Sequence, residues 1–76
     1  MIMIDPTARI PPYRQLAEII SERIKRGEYP RGSRLPSEAE FMDEFEIGRN
    51  TARRAVAVLR ERGIVETVAT RGTYVL

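Results

Sequence analysis

Arg34-Leu35-Pro36-Ser37-Glu38 stands a short helix ahead of Ile47-Gly48-Arg49-Asn50-Thr51-Ala52-Arg53, and these two stretches decide the fold. Pro36 disfavours helix at Leu35, so a helix has to begin after it. Ser37-Glu38-Ala39-Glu40 is a capping box, in which the Ser37 hydroxyl accepts from the Glu40 amide and the Glu40 carboxylate reaches back to the Ser37 amide. Phe41, Met42 and Phe45 supply the buried side of this helix, and Ile47-Gly48 reads as a turn and a fresh start. The next helix is expected from about Arg49 to Arg62, with Arg49 and Arg53 one turn apart on the same face. A short helix, a tight turn and an arginine-faced second helix predict a helix-turn-helix, a motif that presents its second helix to the DNA major groove.

Upstream, residues 1–10 show no helical period and read as an N-terminal arm. Pro11 and Pro12 suit a helix start. Tyr13, Leu16, Ala17, Ile20 and Ile24 then form one buried stripe, and Gly27 can close the helix in a left-handed conformation. Residues 28–33 read as a turn, with Arg34-Leu35 as a very short strand leading out of it.

Downstream, Ala52, Ala55, Val56 and Leu59 make the buried stripe of the third helix. The small residues 52 and 55 permit close packing against the preceding helix. Arg49, Asn50, Arg53, Ala57 and Arg60 fall to one side, and Gly63 ends the helix. Ile64–Val68 and Thr73–Leu76 are β-branched runs around Ala69-Thr70-Arg71-Gly72, a hairpin with glycine available for positive φ. The fold class is therefore mostly α with a small β-hairpin: a three-helix winged helix-turn-helix over residues 11–76.

Seventy-six residues make one domain with one small core. No cysteine or histidine is present, which removes disulfides, the usual zinc ligands and the commonest general base. No catalytic, cofactor or metal site is expected, and the chain does not read as an enzyme. No apolar run approaches the roughly 18 residues of a membrane span, so no membrane partner and a cytoplasmic location are expected. The net charge of +2 is unevenly spread. Glu38, Glu40, Asp43, Glu44 and Glu46 precede the turn; Arg49, Arg53, Arg54, Arg60 and Arg62 follow it. The acidic group is read as cap, helix-dipole partners and solubilising face rather than a metal site. Arg54 and Arg62 are expected to be solvated or paired with it. Lys25 is the only lysine. Arginine is a planar fork that grips a guanine edge or a phosphate with two bonds.

The sequence resembles the DNA-binding domain of the GntR family of bacterial transcriptional regulators. The resemblance runs through Pro12-Tyr13-x-Gln15-Leu16, Gly27-x-Tyr29-x-x-Gly32, Leu35-Pro36-Ser37-Glu38, Phe45, Arg49-x-Thr51-x-Arg53, Leu59, Gly63-Ile64-Val65 and Arg71-Gly72-Thr73-Tyr74-Val75. It implies a regulator, with repression as the expected outcome, binding operator DNA as a homodimer through helix 49–62 in the major groove and the 69–72 wing in the minor groove. It implies base reading by Arg49 and Arg53, and backbone contact at Arg34 and Ser37. Asn50 is within reach of a base edge or a phosphate, and the resemblance favours phosphate for Thr51. Arg71-Gly72 forms the wing tip, where a guanidinium suits the negative potential of a narrow minor groove.

Three positions depart from the family pattern. Glu46 replaces a glycine common in the turn, so a left-handed backbone there would be strained. Gly48 replaces the usual serine or threonine cap, so no side-chain role is expected of it. Ala39 replaces an arginine that touches DNA in some members, so the second helix is expected to contribute less. The chain alone is expected to be a monomer or weak dimer. An effector molecule enters only where a parent protein carries a C-terminal domain. The alternative reading is a winged helix that binds protein instead of DNA.

Overall fold

A computed structural model describes residues 4–76. Three helices, α1 (Pro12–Lys25), α2 (Glu38–Phe45) and α3 (Arg49–Glu61), are followed by β1 (Val65–Val68) and β2 (Gly72–Val75). The strands pair antiparallel in the register Val65↔Val75 to Val68↔Gly72. The Arg34-Leu35 segment adds a bridge to their outer edge: Arg34 pairs with Tyr74, and the Leu35 amide donates to the Thr73 carbonyl at 2.8 Å. The hairpin is thereby tied to the chain immediately before α2.

The helix ends follow from local chemistry. Pro11 precedes α1 with φ −59° and ψ 150°, and Pro12 opens the helix at a position whose amide would have no intrahelical partner. Both α1 and α3 close on paired 6→1 and 5→2 hydrogen bonds across a left-handed glycine. Glu28 donates to Arg23 and Gly27 to Ile24; Ile64 donates to Leu59 and Gly63 to Arg60. In α2 both arms of the capping box form: Glu40 N donates to Ser37 Oγ at 3.1 Å, and Ser37 N donates to Glu40 Oε1 at 3.4 Å.

The core is the meeting point of the helical stripes with the hairpin. Leu16, Ala17 and Ile20 from α1, Phe41 and Phe45 from α2, and Ala52, Ala55 and Leu59 from α3 join Leu35, Val65 and Val75. Each buried Leu, Ile, Phe or Val contributes roughly 1.5–3 kcal/mol of hydrophobic stabilisation. Tyr13 and Ile24, expected inside, are only half-buried at the ends of the α1 stripe. The larger helix interface is α1 with α3 rather than α2 with α3.

The segment before α1 is fastened rather than free where it is described. The Gln15 side chain donates to the carbonyls of Asp5 (2.8 Å) and Ile10 (2.7 Å) and accepts from the Asp5 amide (2.8 Å). Ile4 packs on the core. The Thr7 hydroxyl and amide donate to the Asp5 carboxylate and hold its pKa below the ordinary value. Residues 1–3 of the expected arm lie outside the described residues.

Arg54 and Arg62 are exposed, as expected, and each also meets α1. The Arg54 guanidinium lies 4.0 Å from the ring centre of Tyr13 on α1, not beside the acidic residues of α2. Arg62 pairs with Glu18 of α1 at 3.0 Å, not with α2. The reason is common to both: α3 runs against α1, so its side-facing arginines meet α1 first. The hairpin departs from expectation in its turn. Glycine was expected to supply the positive φ, and Gly72 does adopt φ 129°, but the turn also bends through Thr70 at φ 63°. A β-branched residue in that region carries strain.

Candidate nucleic-acid interface

The tight turn between α2 and α3 is built on Glu46, whose backbone sits in the left-handed region at φ 53° and ψ 51°. That is the strain expected of a non-glycine residue here. Ile47 is half-buried against the core, and Gly48 caps α3 with an extended backbone (φ −80°, ψ 166°) and no side-chain bond. α3 then presents Arg49, Asn50 and Arg53 fully on the outside, while Ala52, Ala55, Val56 and Leu59 point inward. Thr51 is half-buried between the two faces.

Arg49 and Arg53 are exposed but paired. Glu38, the first residue of α2, lies between them: its Oε1 is 3.5 Å from Arg49 Nη1 and its Oε2 is 3.7 Å from Arg53 Nε. Glu38 was expected only to serve the helix dipole and the surface. The spacing of α2 and α3 across the turn is what brings it to the arginines, and no periodicity in the sequence carries that distance.

Arg34, Ser37 and Arg53 border an open cleft of about 250 Å³ between the start of α2, the outer face of α3 and the hairpin. Arg60 and Thr73 line its other side. Arg60 donates to the Thr67 hydroxyl at 2.9 Å, and Thr67 and Thr73 share a hydroxyl hydrogen bond of 3.1 Å. This chain of contacts connects α3 to both strands, a role for Arg60 that its place on the helix face did not reveal. Arg34 crosses over Gly72 on the same side. Arg71 stands exposed at the hairpin tip, where its amide closes the turn on the Val68 carbonyl at 3.0 Å.

The eight residues singled out from the sequence therefore divide into two connected groups. Arg49, Asn50, Thr51 and Arg53 lie on α3, and Arg53 shares the cleft with Ser37 at the start of α2. Arg34, Arg71 and Gly72 belong to the strand-side group. The guanidinium forks stand in exposed positions from which they can reach a polyanion, and the described residues contain no cluster of three or more acidic side chains able to hold a metal ion.

Comparison with known proteins bears on this arrangement. The chain is 45% identical over 65 residues to the mannosyl-D-glycerate transport/metabolism system repressor MngR of Escherichia coli, covering 86% of this chain and 27% of that protein. It is 36% identical over 75 residues to the transcriptional repressor YtrA of Bacillus subtilis, covering 99% of this chain and 58% of that protein. The chain thus spans about a quarter to a little over half of these relatives. Among solved structures, AraR(DBD) in complex with operator ORX1 superposes with a TM-score of 0.88 at 31% identity, over 99% of this chain and 93% of that one. The model of the bacterial regulatory proteins of the gntR family matches residues 12–75. The fold is a winged helix-turn-helix, and the chain belongs to the GntR family of bacterial regulatory proteins.

Proposed function

We propose that the chain is the DNA-binding domain of a transcriptional repressor, reading operator DNA with α3 in the major groove and the 69–72 wing in the minor groove. The observation that carries this reading is the set of exposed arginines on the outer face of α3 and the adjoining wing, on a fold closely similar to AraR(DBD) bound to an operator. Repression is supported by the names of the relatives MngR and YtrA. The domain docks on an inverted repeat as a homodimer, because a symmetric pair of winged helices matches a two-fold site. It works in the cytoplasm, where operators are found. Effector control belongs to the additional length that the curated relatives possess beyond the matched region.

The roles divide by chemistry. Arg49 and Arg53 offer forks to guanine N7 and O6. Asn50 reaches a base edge or a phosphate, and Thr51 a phosphate. Arg34 and the exposed amides beside Ser37 hold the DNA backbone, since a helix start favours phosphate. Arg71 enters the minor groove with Gly72 behind it.

Fluorescence anisotropy over a salt series tests this reading. With about four phosphates neutralised per bound copy, the logarithm of affinity should fall with the logarithm of salt at a slope near −3.6, from roughly −0.9 per phosphate. A flat salt response, or no affinity for any duplex, would reject DNA binding and favour a winged helix that docks on protein.

A further inference from the structure

We propose that Glu38 is a specificity-determining residue, whose carboxylate holds Arg49 and Arg53 in a shared bridge that withholds them from phosphates and orients them toward base edges. This inference rests on the base-reading role of the two arginines proposed above. Each Glu38 oxygen faces a different guanidinium, at 3.5 and 3.7 Å. The helix cap does not need this side chain, because Ser37 and Glu40 complete the capping box between themselves. The cap does, however, fix the Glu38 backbone, and so the origin of its side chain. Among the described residues neither arginine has another acidic partner within 4 Å, and both are more than half exposed.

The arrangement has two opposed consequences for DNA. Two cations at i and i+4 repel each other, and a carboxylate placed between them relieves that repulsion and narrows their rotamers. A bidentate contact with guanine depends on the orientation of the guanidinium plane, so holding that plane in advance lowers the ordering cost of the specific complex. A phosphate has no such requirement; it takes any nearby arginine. There the carboxylate acts against binding, by competing for the fork and by repelling the DNA backbone. Glu38 therefore weakens phosphate-held binding to any duplex while favouring the base-read complex with the correct one, and specificity is the difference between the two.

Glu38→Gln keeps the shape and removes the charge; Glu38→Asp keeps the charge and shortens the reach. Both are titrated against the best duplex recovered from a random pool by the unsubstituted chain, and against a scrambled duplex of equal length and composition. Glu38→Gln should bind the scrambled duplex more tightly. Its preference for the selected duplex should fall about tenfold, within the discrimination that one bidentate base contact supplies. Its salt slope on the scrambled duplex should steepen by about 0.9 to 1.8 as one or both arginines take phosphates. Glu38→Asp should also lose preference, because the bridge needs reach as well as charge. An unchanged preference ratio in Glu38→Gln, or full retention in Glu38→Asp, overturns the proposal. Arg53→Ala in the same titration separates the two layers. If it loses base preference while Glu38→Gln does not, only the restraint fails. If Arg53→Ala and Arg49→Ala both keep the full preference, base reading fails and the restraint falls with it. Thermal melts of the Glu38 variants should show a cooperative fold, with Glu38→Gln lower by no more than a few degrees, since the cap is untouched and only a helix-dipole charge and exposed ion pairs are lost.

Discussion

Arg34 lies directly over Gly72: a Cβ built at Gly72 would stand 3.2 Å from Arg34 Cδ and 3.4 Å from Arg34 Nε. The contact joins the segment before α2 to the first residue of the wing's second strand. It also explains why glycine stands there twice over, since Gly72 adopts φ 129°, which side chains rarely tolerate. Gly72→Ala should destabilise the domain by roughly 1–3 kcal/mol through backbone strain. It should also displace the Arg34 guanidinium and weaken duplex binding. Arg34→Ala should weaken binding without lowering the melting temperature. Equal melting temperatures for Gly72→Ala and the parent would show that the strand relaxes around the new methyl.

The turn between α2 and α3 carries avoidable strain at Glu46. Glu46→Gly should stabilise by about 1 kcal/mol, because a left-handed backbone costs a side chain roughly 1–2 kcal/mol and glycine loses part of that in chain entropy. For a domain of this size each kcal/mol raises the melting temperature by about 4–8 °C. Gly48 is different: its φ is −80° and no atom lies within 4 Å of an added Cβ. Gly48→Ser should be neutral or better by a few tenths of a kcal/mol through side-chain capping. A large loss in Gly48→Ser would show that the start of α3 requires glycine's backbone.

Arg23 is a polar tie between α1 and α2. Its guanidinium pairs with Glu44 of α2, donates to the Tyr29 hydroxyl at 2.8 Å and sits 5.1 Å from the Phe45 ring centre. Glu44 first, and Tyr29 after it, raise the Arg23 pKa above its ordinary value. The side chain is 16% exposed, against 43% for Glu44, so solvent screens the pair in part. Arg23→Met keeps the apolar stem over Phe45 and removes the charge; it should cost about 1–2 kcal/mol in a thermal melt. Glu44→Gln, with its exposed partner side, should cost less than about 1 kcal/mol. The reverse ranking would mean that the carboxylate, not the arginine, organises this corner.

What the sequence made legible was local. Ser37 to Glu40 specify their own cap, Gly27 and Gly63 their own helix ends, and the 3.6-residue stripes their own buried faces. The strain at Glu46 was expected from the family resemblance, which implies a glycine at that place in the turn, and the left-handed backbone bears it out. The missed contacts are all between elements. Arg54 on Tyr13, Arg62 with Glu18, Arg60 with Thr67 and Glu38 with Arg49 and Arg53 depend on how far apart two backbones pack. Charge runs say which residues are available for pairing. They do not say which helix lies within reach, and α3 leaning on α1 redirected two of its arginines.

The final prediction separates reading from holding within the candidate interface. Arg49→Ala and Arg53→Ala should each cost roughly 1–3 kcal/mol on the selected duplex and relax preference at one base position, because a guanine fork carries both affinity and sequence information. A phosphate contact carries affinity alone. Arg71→Ala should weaken binding with most of the major-groove preference retained, since a minor-groove guanidinium responds to groove width and potential rather than to the base code of the opposite groove. Arg34→Ala should behave like a phosphate contact, weakening selected and random duplexes alike and flattening the salt slope by about 0.9. The four variants, titrated on one pair of duplexes over one salt series, form a pattern that no general loss of positive charge reproduces. Uniform weakening by all four on both duplexes would reduce the arginines to a phosphate clamp. An unchanged isotherm for Arg71→Ala would remove the wing from the interface.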